Sequence, residues 1–417
     1  MKKLLLIAFS FSAAAAFADA LTVTDVSARQ RWPWNGLVDV DFKIGGDSVA
    51  DLFKVEVHAA YAGGTKKVIG RTYLEEPLRG QGWNRLTWDF GADCPETRAD
   101  DMQIAVVATP ISRAQLDAQN VYMVIDLSSG PNSTRYPVRY TTTAPTLVPT
   151  NDLVACAADP NRTTKLWLKR VKANTFPFHG TNSDPWFYAR LSPFYIGIFE
   201  LTQKQWNLVM GNWPSQFSNE TYRAARPVER INYEDVIGHN NWPDSKVVSD
   251  SSFVGKMRAR TGLATLNLPT EAQWEDVARA GATGSVYANA NTGRYDANSG
   301  TPSTYNEDPT IGTALVGSYK ANSWGFYDCY GNVMEMCLDA YADGDGLKAL
   351  YAGQNPVDDP IGPATHSTAR YHATRGGSFY NSNSRSSSYD RFYCNNSSIT
   401  GTRDRRVGMR VAVSREW

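Results

Sequence analysis

The sequence predicts an α+β domain with little regular secondary structure, preceded by an all-β, sandwich-like domain. Three observations carry that prediction. Apolar and polar residues alternate with period two at Val38-Asp39-Val40-Asp41-Phe42 and Phe53-Lys54-Val55-Glu56-Val57, the signature of strands buried on one face. Beyond residue 165 the alternation gives way to two segments that open on helix-capping threonines, Thr202 and Thr270,. Around those helices run long polar loops rich in Gly, Asn and Asp, among plentiful aromatics,.

In chain order, Lys2 and Lys3 precede an apolar run from Leu4 to Phe17, and Ala18-Asp19-Ala20 supplies a small-x-small cleavage site. That pattern reads as a secretory signal peptide over residues 1–20, with a short buried helix as the alternative. The mature chain is then expected to start near Leu21 and to be periplasmic or secreted. No later stretch reaches the roughly 18 to 20 apolar residues of a membrane span. Residues 21–143 read as the β-sandwich-like domain, with further strands at Arg85 to Phe90, Ile104 to Ala108 and Tyr122 to Leu127. Gly45-Gly46 and Ala62-Gly63-Gly64 supply turns between them,. This region holds no catalytic constellation, and its lone His58 reads as a strand-surface residue. Residues 144–164, rich in Thr, Pro, Asn and Asp, read as a linker,.

Residues 165–417 form the second domain. Helices are expected over Thr202 to Met210 and Thr270 to Ala280. Gln273, three residues after Thr270, completes a capping-box pattern, and Ala272, Trp274, Val277 and Ala278 would face a core.

Lys plus Arg and Asp plus Glu number 42 each, so no global field recruits nucleic acid or an anionic surface. Export permits disulfides, but the five cysteines, Cys94, Cys156, Cys329, Cys337 and Cys394, leave at least one thiol unpaired. Cys337 with Cys394 is the bridge to test, since both lie in the second domain. The absence of any C-x-x-C pair argues against structural zinc.

The densest chemistry lies between Val316 and Asp339. Asp328 and Glu335 can supply two charged oxygen ligands to a hard cation, and Gly331 lets the backbone bend so that carbonyls face the same point,. A glycine turn between strands with solvated carboxylates is the alternative reading.

The same stretch resembles the formylglycine-generating enzymes, or sulfatase-modifying factor proteins. Asn322-Ser323-Trp324-Gly325-Phe326-Tyr327-Asp328 and Gly331-Asn332-Val333-Met334-Glu335-Met336 match the family's signature run. Phe194 to Thr202, Leu268-Pro269-Thr270-Glu271-Ala272-Gln273-Trp274-Glu275, and Arg375-Gly376-Gly377-Ser378-Phe379 with Gly408-Met409-Arg410 match its other blocks, in order. Together they cover residues 165–412. The resemblance implies a C-type-lectin-like fold and calcium bound by Asp328, Gly331, Val333 and Glu335. It also implies a second calcium site at Asp308 and Thr310 with Asn298 and Ser299, where Asn289 or Asn291 could serve instead. An Asx-rich turn network without metal is the alternative there.

Two departures bear on activity. The family's copper(I)-binding cysteine pair follows the R-G-G-S block, and those positions fall on Asn381 and Ser386 here. An amide and a hydroxyl are hard ligands and hold copper(I) poorly, so copper is not expected and no catalytic residue is assigned. Met334 and Met336 stand where the family shows Trp, which would change the surface a substrate peptide meets. Related oxidases bind iron through a histidine-rich helical domain. The β-like first domain does not supply one, and His366 and His372 read as loop residues.

The sequence therefore points to an exported, calcium-stabilised binding or scaffold protein that has lost the copper cysteines. Arg375, Ser378 and Asn332 would line a groove for a peptide, glycan or protein. The alternative is an active formylglycine-generating oxidoreductase whose thiols are recruited differently.

Overall fold

The period-two residues of the first unit become two facing sheets in the computed structural model. It describes residues 22–30, 37–45, 53–61, 64–66, 72–73, 78–79, 82–89 and 103–110, then 121–179, 185–238, 246–282, 312–365, 371–381, 386–395 and 403–414. The proposed signal peptide, Cys94, His366 and the second calcium set Asn298, Ser299, Asp308 and Thr310 lie outside the described residues. The chain divides into two units after Asn120, with Pro137–Arg139 grouped with the first.

In the first unit β1 (Thr22–Gln30), β2 (Leu37–Gly45), β3 (Phe53–Tyr61), β4 (Gly64–Lys66), β5 (Thr72–Tyr73), β6 (Leu78–Arg79), β7 (Gly82–Asp89) and β8 (Gln103–Pro110) follow one another. One sheet has the order β1-β2-β7-β5. In the other, β4-β3-β6 share β3 with β8. Val38, Val40, Phe42 and Ile44 of β2 pack with Phe53, Val55, Val57 and Ala59 of β3 and with Ile104 and Val106 of β8. The two sheets thus bury one common face, as a sandwich requires. His58 sits half-buried on β3, off that core.

The second unit starts earlier than the composition indicates. β9 (Tyr122–Asp126), followed in the chain by β10 (Val138–Thr141), pairs antiparallel with β11 (Lys165–Val171), so Tyr122 to Leu127 belongs to this unit and not to the sandwich. The expected linker carries two short helices, α1 (Leu153–Ala158) and α2 (Pro160–Thr163). Asp152, Asp159 and Pro160 stand at the starts of these helices. Asp152 accepts from the Ala155 N–H, Asp159 accepts from the Asn161 N–H, and Pro160 starts α2,. Asp159 also forms a buried ion pair with Arg162, whose Nε donates to the Val316 carbonyl.

Next come β12 (Asn174–His179), β13 (Pro185–Leu191), β14 (Phe194–Gly197), α3 (Gln203–Met210), α4 (Tyr233–Ile237), α5 (Phe253–Thr261), β15 (Leu266–Asn267) and α6 (Glu271–Arg279). The two expected helices are α3 and α6. Each opens on a reciprocal capping box, Thr202 with Gln205 and Thr270 with Gln273. Trp274, Ala272, Val277 and Ala278 enter the core against Phe178, Phe187 and Phe194.

The chain finishes with β16 (Met334–Ala340), α7 (Gly344–Leu350), β17 (Val357–Asp358), β18 (Tyr371–Arg375), β19 (Arg391–Asn395), β20 (Val407–Met409) and β21 (Ala412–Val413). The sheet β19-β18-β16-β20 brings three sequence blocks together: Glu335 lies opposite Arg375 and beside Gly408.

This sheet corrects three expectations. Cys337 and Cys394 stay free thiols. They sit on β16 and β19 with β18 between them, and two strand spacings, about 9 to 10 Å, exceed the span of a disulfide. His372 is no loop residue: it is buried on β18, stacked against the Tyr233 ring. Met334 and Met336 are buried in β16, so replacing Trp there alters the interior rather than a surface.

Candidate functional site

Three carboxylates, Glu200, Asp328 and Glu335, are buried around one guanidinium, Arg410. Glu200 follows β14, in the Phe194 to Thr202 block. It accepts from the Val333 N–H at 3.0 Å and from the Asn332 side chain. Asp328 and Asn332 adopt left-handed backbone angles, φ 54° and 57°, on either side of Gly331 at φ 77°. This succession folds the loop tightly, and at Gly331 only glycine takes such angles without strain. Asp328 Oδ2 accepts from the Gly317 N–H at 2.6 Å. Its Oδ1 is buried with no hydrogen-bond partner among the described residues.

Arg410 donates to both oxygens of Glu335 at 2.8 Å, and the Trp274 indole N–H adds a third bond at 3.0 Å. Three carboxylates around one cation leave excess negative charge in a dry site. Burial, with Asp328 and Glu335 nearby, pushes Glu200 well above the usual carboxylate range, and burial raises Asp328 to about 6. Both shifts express the same need for a positive charge or a proton.

That need tests the expected calcium set. Asp328 fits a hard cation, since one buried oxygen has no hydrogen-bond partner among the described residues. Glu335 does not serve as a free ligand, because its oxygens are held by Arg410 and Trp274. No cluster of three or more His, Cys, Asp or Glu side chains disposed for a metal occurs among the described residues, so a cation here would rest on Asp328 and backbone carbonyls such as those of Gly331 and Val333.

A second buried charge lattice lies behind this one. Arg375 reaches Glu271 at 3.2 Å, Glu275 at 2.6 Å and the Ser388 carbonyl at 2.7 Å, and its guanidinium lies over the Trp274 ring. Arg391 grips Glu271 with two bonds, and Arg279 bonds Glu275 and the His179 ring. Burial alone would raise the Glu271 pKa, but Arg391 and Arg375 outweigh it and hold Glu271 below its ordinary value. Gly376 follows Arg375 at φ 88°, where an added Cβ would lie 2.9 Å from the Cys329 carbonyl and 3.0 Å from Trp274.

The expected groove is therefore corrected. Arg375 is fully buried in ion pairs, Asn332 is buried between Glu200 and the Ala314 N–H, and Ser378 is buried against Asn381. None of them can meet a ligand from solvent. They brace the loop after β18.

At the two copper positions, Asn381 Oδ1 accepts from the Ser378 hydroxyl at 2.7 Å and its N–H at 3.0 Å, and Ser386 is buried. Asn381 thus closes a turn. The four described thiols offer no substitute. Burial pushes Cys329 and Cys394 up to about 12 and raises Cys156 and Cys337 as well, so all four are neutral thiols, unlike a nucleophilic or metal-binding cysteine.

Sequence reasoning missed Glu200 as a site residue, although its block was noticed. It also missed the aromatic surface at the sheet edge, where Tyr393 is 53% exposed beside Tyr371 and Tyr341, with ring centroids 4.3 and 5.1 Å away.

Residues 170–415 match the domain described as Sulfatase-modifying factor enzyme 1-like. The chain is 31% identical over 220 residues to a protein named Chaperone protein LppX from Paenibacillus barcinonensis, covering 45% of this chain and 76% of that one. It is 31% identical over 172 residues to a formylglycine-generating enzyme from Thermomonospora curvata, covering 39% of this chain and 47% of the relative. It therefore spans about half of that enzyme's length. Among solved structures, Treponema denticola variable protein 1 aligns with a TM-score of 0.42 and 25% identity, over 60% of this chain and 96% of that one. PvdO from Pseudomonas aeruginosa aligns with a TM-score of 0.42 and 21% identity, over 60% and 94%. With the profile match covering more than half of its length, this chain belongs to the Sulfatase-modifying factor enzyme 1-like domain family.

Proposed function

We propose that this chain is an exported, non-catalytic binding protein of its family, whose second unit is stabilised by calcium at Asp328. The observation that carries this reading is the use of Asn381 as a turn-closing residue where a copper thiolate would have to stand. Oxidation of a substrate cysteine needs a redox-active metal or a reactive thiolate, and every described thiol is raised above its ordinary value and protonated, Cys156, Cys329 and Cys337 being buried and Cys394 half-buried. The relative named a chaperone protein supports a binding role over an oxidative one.

The surface that would bind is the segment after the R-G-G-S block. Residues 379–396 hold three Tyr, a residue that supplies rigid contact area at low entropic cost, whereas Ser386, Ser387 and Ser388 are buried. Tyr380 is 40% exposed and Tyr393 53%. Tyr393 stands on the edge strand β19, so the ligand class this surface suits is a peptide or protein partner.

The test uses the purified full-length chain and a Cys-x-Pro-x-Arg peptide, with and without copper(I). No aldehyde should form. A peptide-display selection on the same protein should yield binders whose retention falls at least tenfold with Tyr393→Ala. Aldehyde formation by the unmodified chain would return it to the oxidoreductases.

A further inference from the structure

The first unit carries a feature that the second does not explain. Trp83 is the one large apolar side chain left exposed among its described residues, at 65% of its surface. It lines an open depression of about 550 Å³ with Ser27, Asp41, Asn84 and Arg85.

The sheet fixes this arrangement. Val40, Phe42 and Ile44 of β2 point into the sandwich, so Asp41 and Lys43 point out. Ser27 of β1 lies opposite Asp41, Asp41 opposite Arg85 of β7, and Lys43 opposite Trp83. Two hydrogen bonds, 2.5 Å from Nε and 2.9 Å from Nη2, lock Arg85 onto the two oxygens of Asp41. An indole face thus stands beside a fixed row of hydroxyl, carboxylate and guanidinium on a rigid sheet.

We propose that this depression is a saccharide-binding site, taking an uncharged pyranose stacked on Trp83 with its hydroxyls on the Asp41–Arg85 pair and Ser27. A pyranose has one apolar C–H face and a rim of adjacent hydroxyls. The C–H face suits the negative face of an indole. Each hydroxyl both donates and accepts, so neighbouring hydroxyls match a carboxylate acceptor next to a guanidinium donor. Asp41 and Arg85 neutralise one another, which favours a neutral sugar over an ion. A protein partner would call for several clustered aromatic or aliphatic anchors, whereas among the described residues this indole is ringed by polar groups.

The full-length protein should be run by affinity electrophoresis through native gels containing a soluble β-glucan, a mannan, a xylan or, as the charged arm, alginate. Retardation by at least one neutral polymer is expected. Trp83→Ala should weaken it at least tenfold, Trp83→Tyr should retain most of it, and Asp41→Asn should weaken it with the melting temperature unchanged. Since Trp83 is exposed, its loss should leave thermal unfolding unaltered, and Asp41→Asn provides a second reading should Trp83→Ala fold poorly. Retardation by none of the neutral polymers, equal retardation of wild type and Trp83→Ala, or retardation by alginate alone would each overturn the proposal.

Discussion

Arg410 donates two hydrogen bonds of 2.8 Å to Glu335, 75 residues earlier in the chain, and both side chains are buried. Burial opposes the charge on Arg410, yet Glu335 keeps its pKa above the ordinary arginine value. This pair ties the last block of the domain to β16, while further Arg410 bonds reach the Gly197 and Tyr327 carbonyls.

Removing one partner leaves an uncompensated buried charge. Arg410→Met is expected to cost about 3 to 5 kcal/mol in urea unfolding of the full chain. Adding Glu335→Gln to that variant should recover part of the loss, because the orphaned carboxylate is then gone. A loss under about 1 kcal/mol for Arg410→Met would show that the pair contributes little to stability.

Calcium should act through Asp328 and not through Glu335. A ligand that binds only the folded state at a hundredfold excess over Kd adds about 2.7 kcal/mol, so chelation should lower the melting temperature by several degrees. Asp328→Ala should abolish most of that response. Glu335→Gln should destabilise the unit with and without calcium, by breaking its bonds to Arg410 and Trp274. Identical melting curves in calcium and chelator would remove the metal from this site.

Stability should fall as pH rises from about 5 to 8 in chelator. Burial lifts Asp339 and Asp276 to about 7 and Glu229 to about 8, whereas unfolded carboxylates titrate near 4. Between those limits the folded chain holds protons that the unfolded chain has released. Folding is therefore favoured at the acid end of the window and disfavoured as pH climbs through the raised values. Glu271 works in the opposite sense, its contribution being lost only below the usual carboxylate range. Chemical denaturation should show a maximum near pH 5 and a decrease of several kcal/mol by pH 8, about 1.4 kcal/mol per pH unit for each carboxyl still protonated in the fold. A flat or rising profile over that interval would contradict these assignments.

Thiol chemistry gives an independent check. Cys156, Cys329, Cys337 and Cys394 are free and at least half-buried. Alkylation of oxidatively purified protein should therefore modify few of them when folded and at least four cysteines after denaturation without reductant. A Cys337–Cys394 cross-link in peptide mapping would require β18 to leave its place between their strands.

What the sequence by itself determined is local. Alternation at Val38–Phe42 and Phe53–Val57 decided the sandwich faces, because side chains on a strand point to opposite sides in turn. Thr202 and Thr270 decided where α3 and α6 begin, because a cap bonds only to residues two or three along. The ordered blocks, read as motifs, decided the family.

The tertiary structure decided everything that depends on a distant partner. A carboxylate at Glu335 announces a charge, but only the strands of β16 and β20 with the Arg410 that follows show what neutralises it. Arg375 looks like a groove residue until Glu271 and Glu275, 104 and 100 residues earlier, are seen closing over it. Tyr122 carries a strand pattern that fits either unit, and its pairing with β11 settles which. Cys337 and Cys394 are close in sequence order yet one strand too far apart. The reason is the same in each case: propensity, periodicity and capping act over a few residues, whereas burial, charge pairing and strand pairing are set by whatever the folded chain brings alongside.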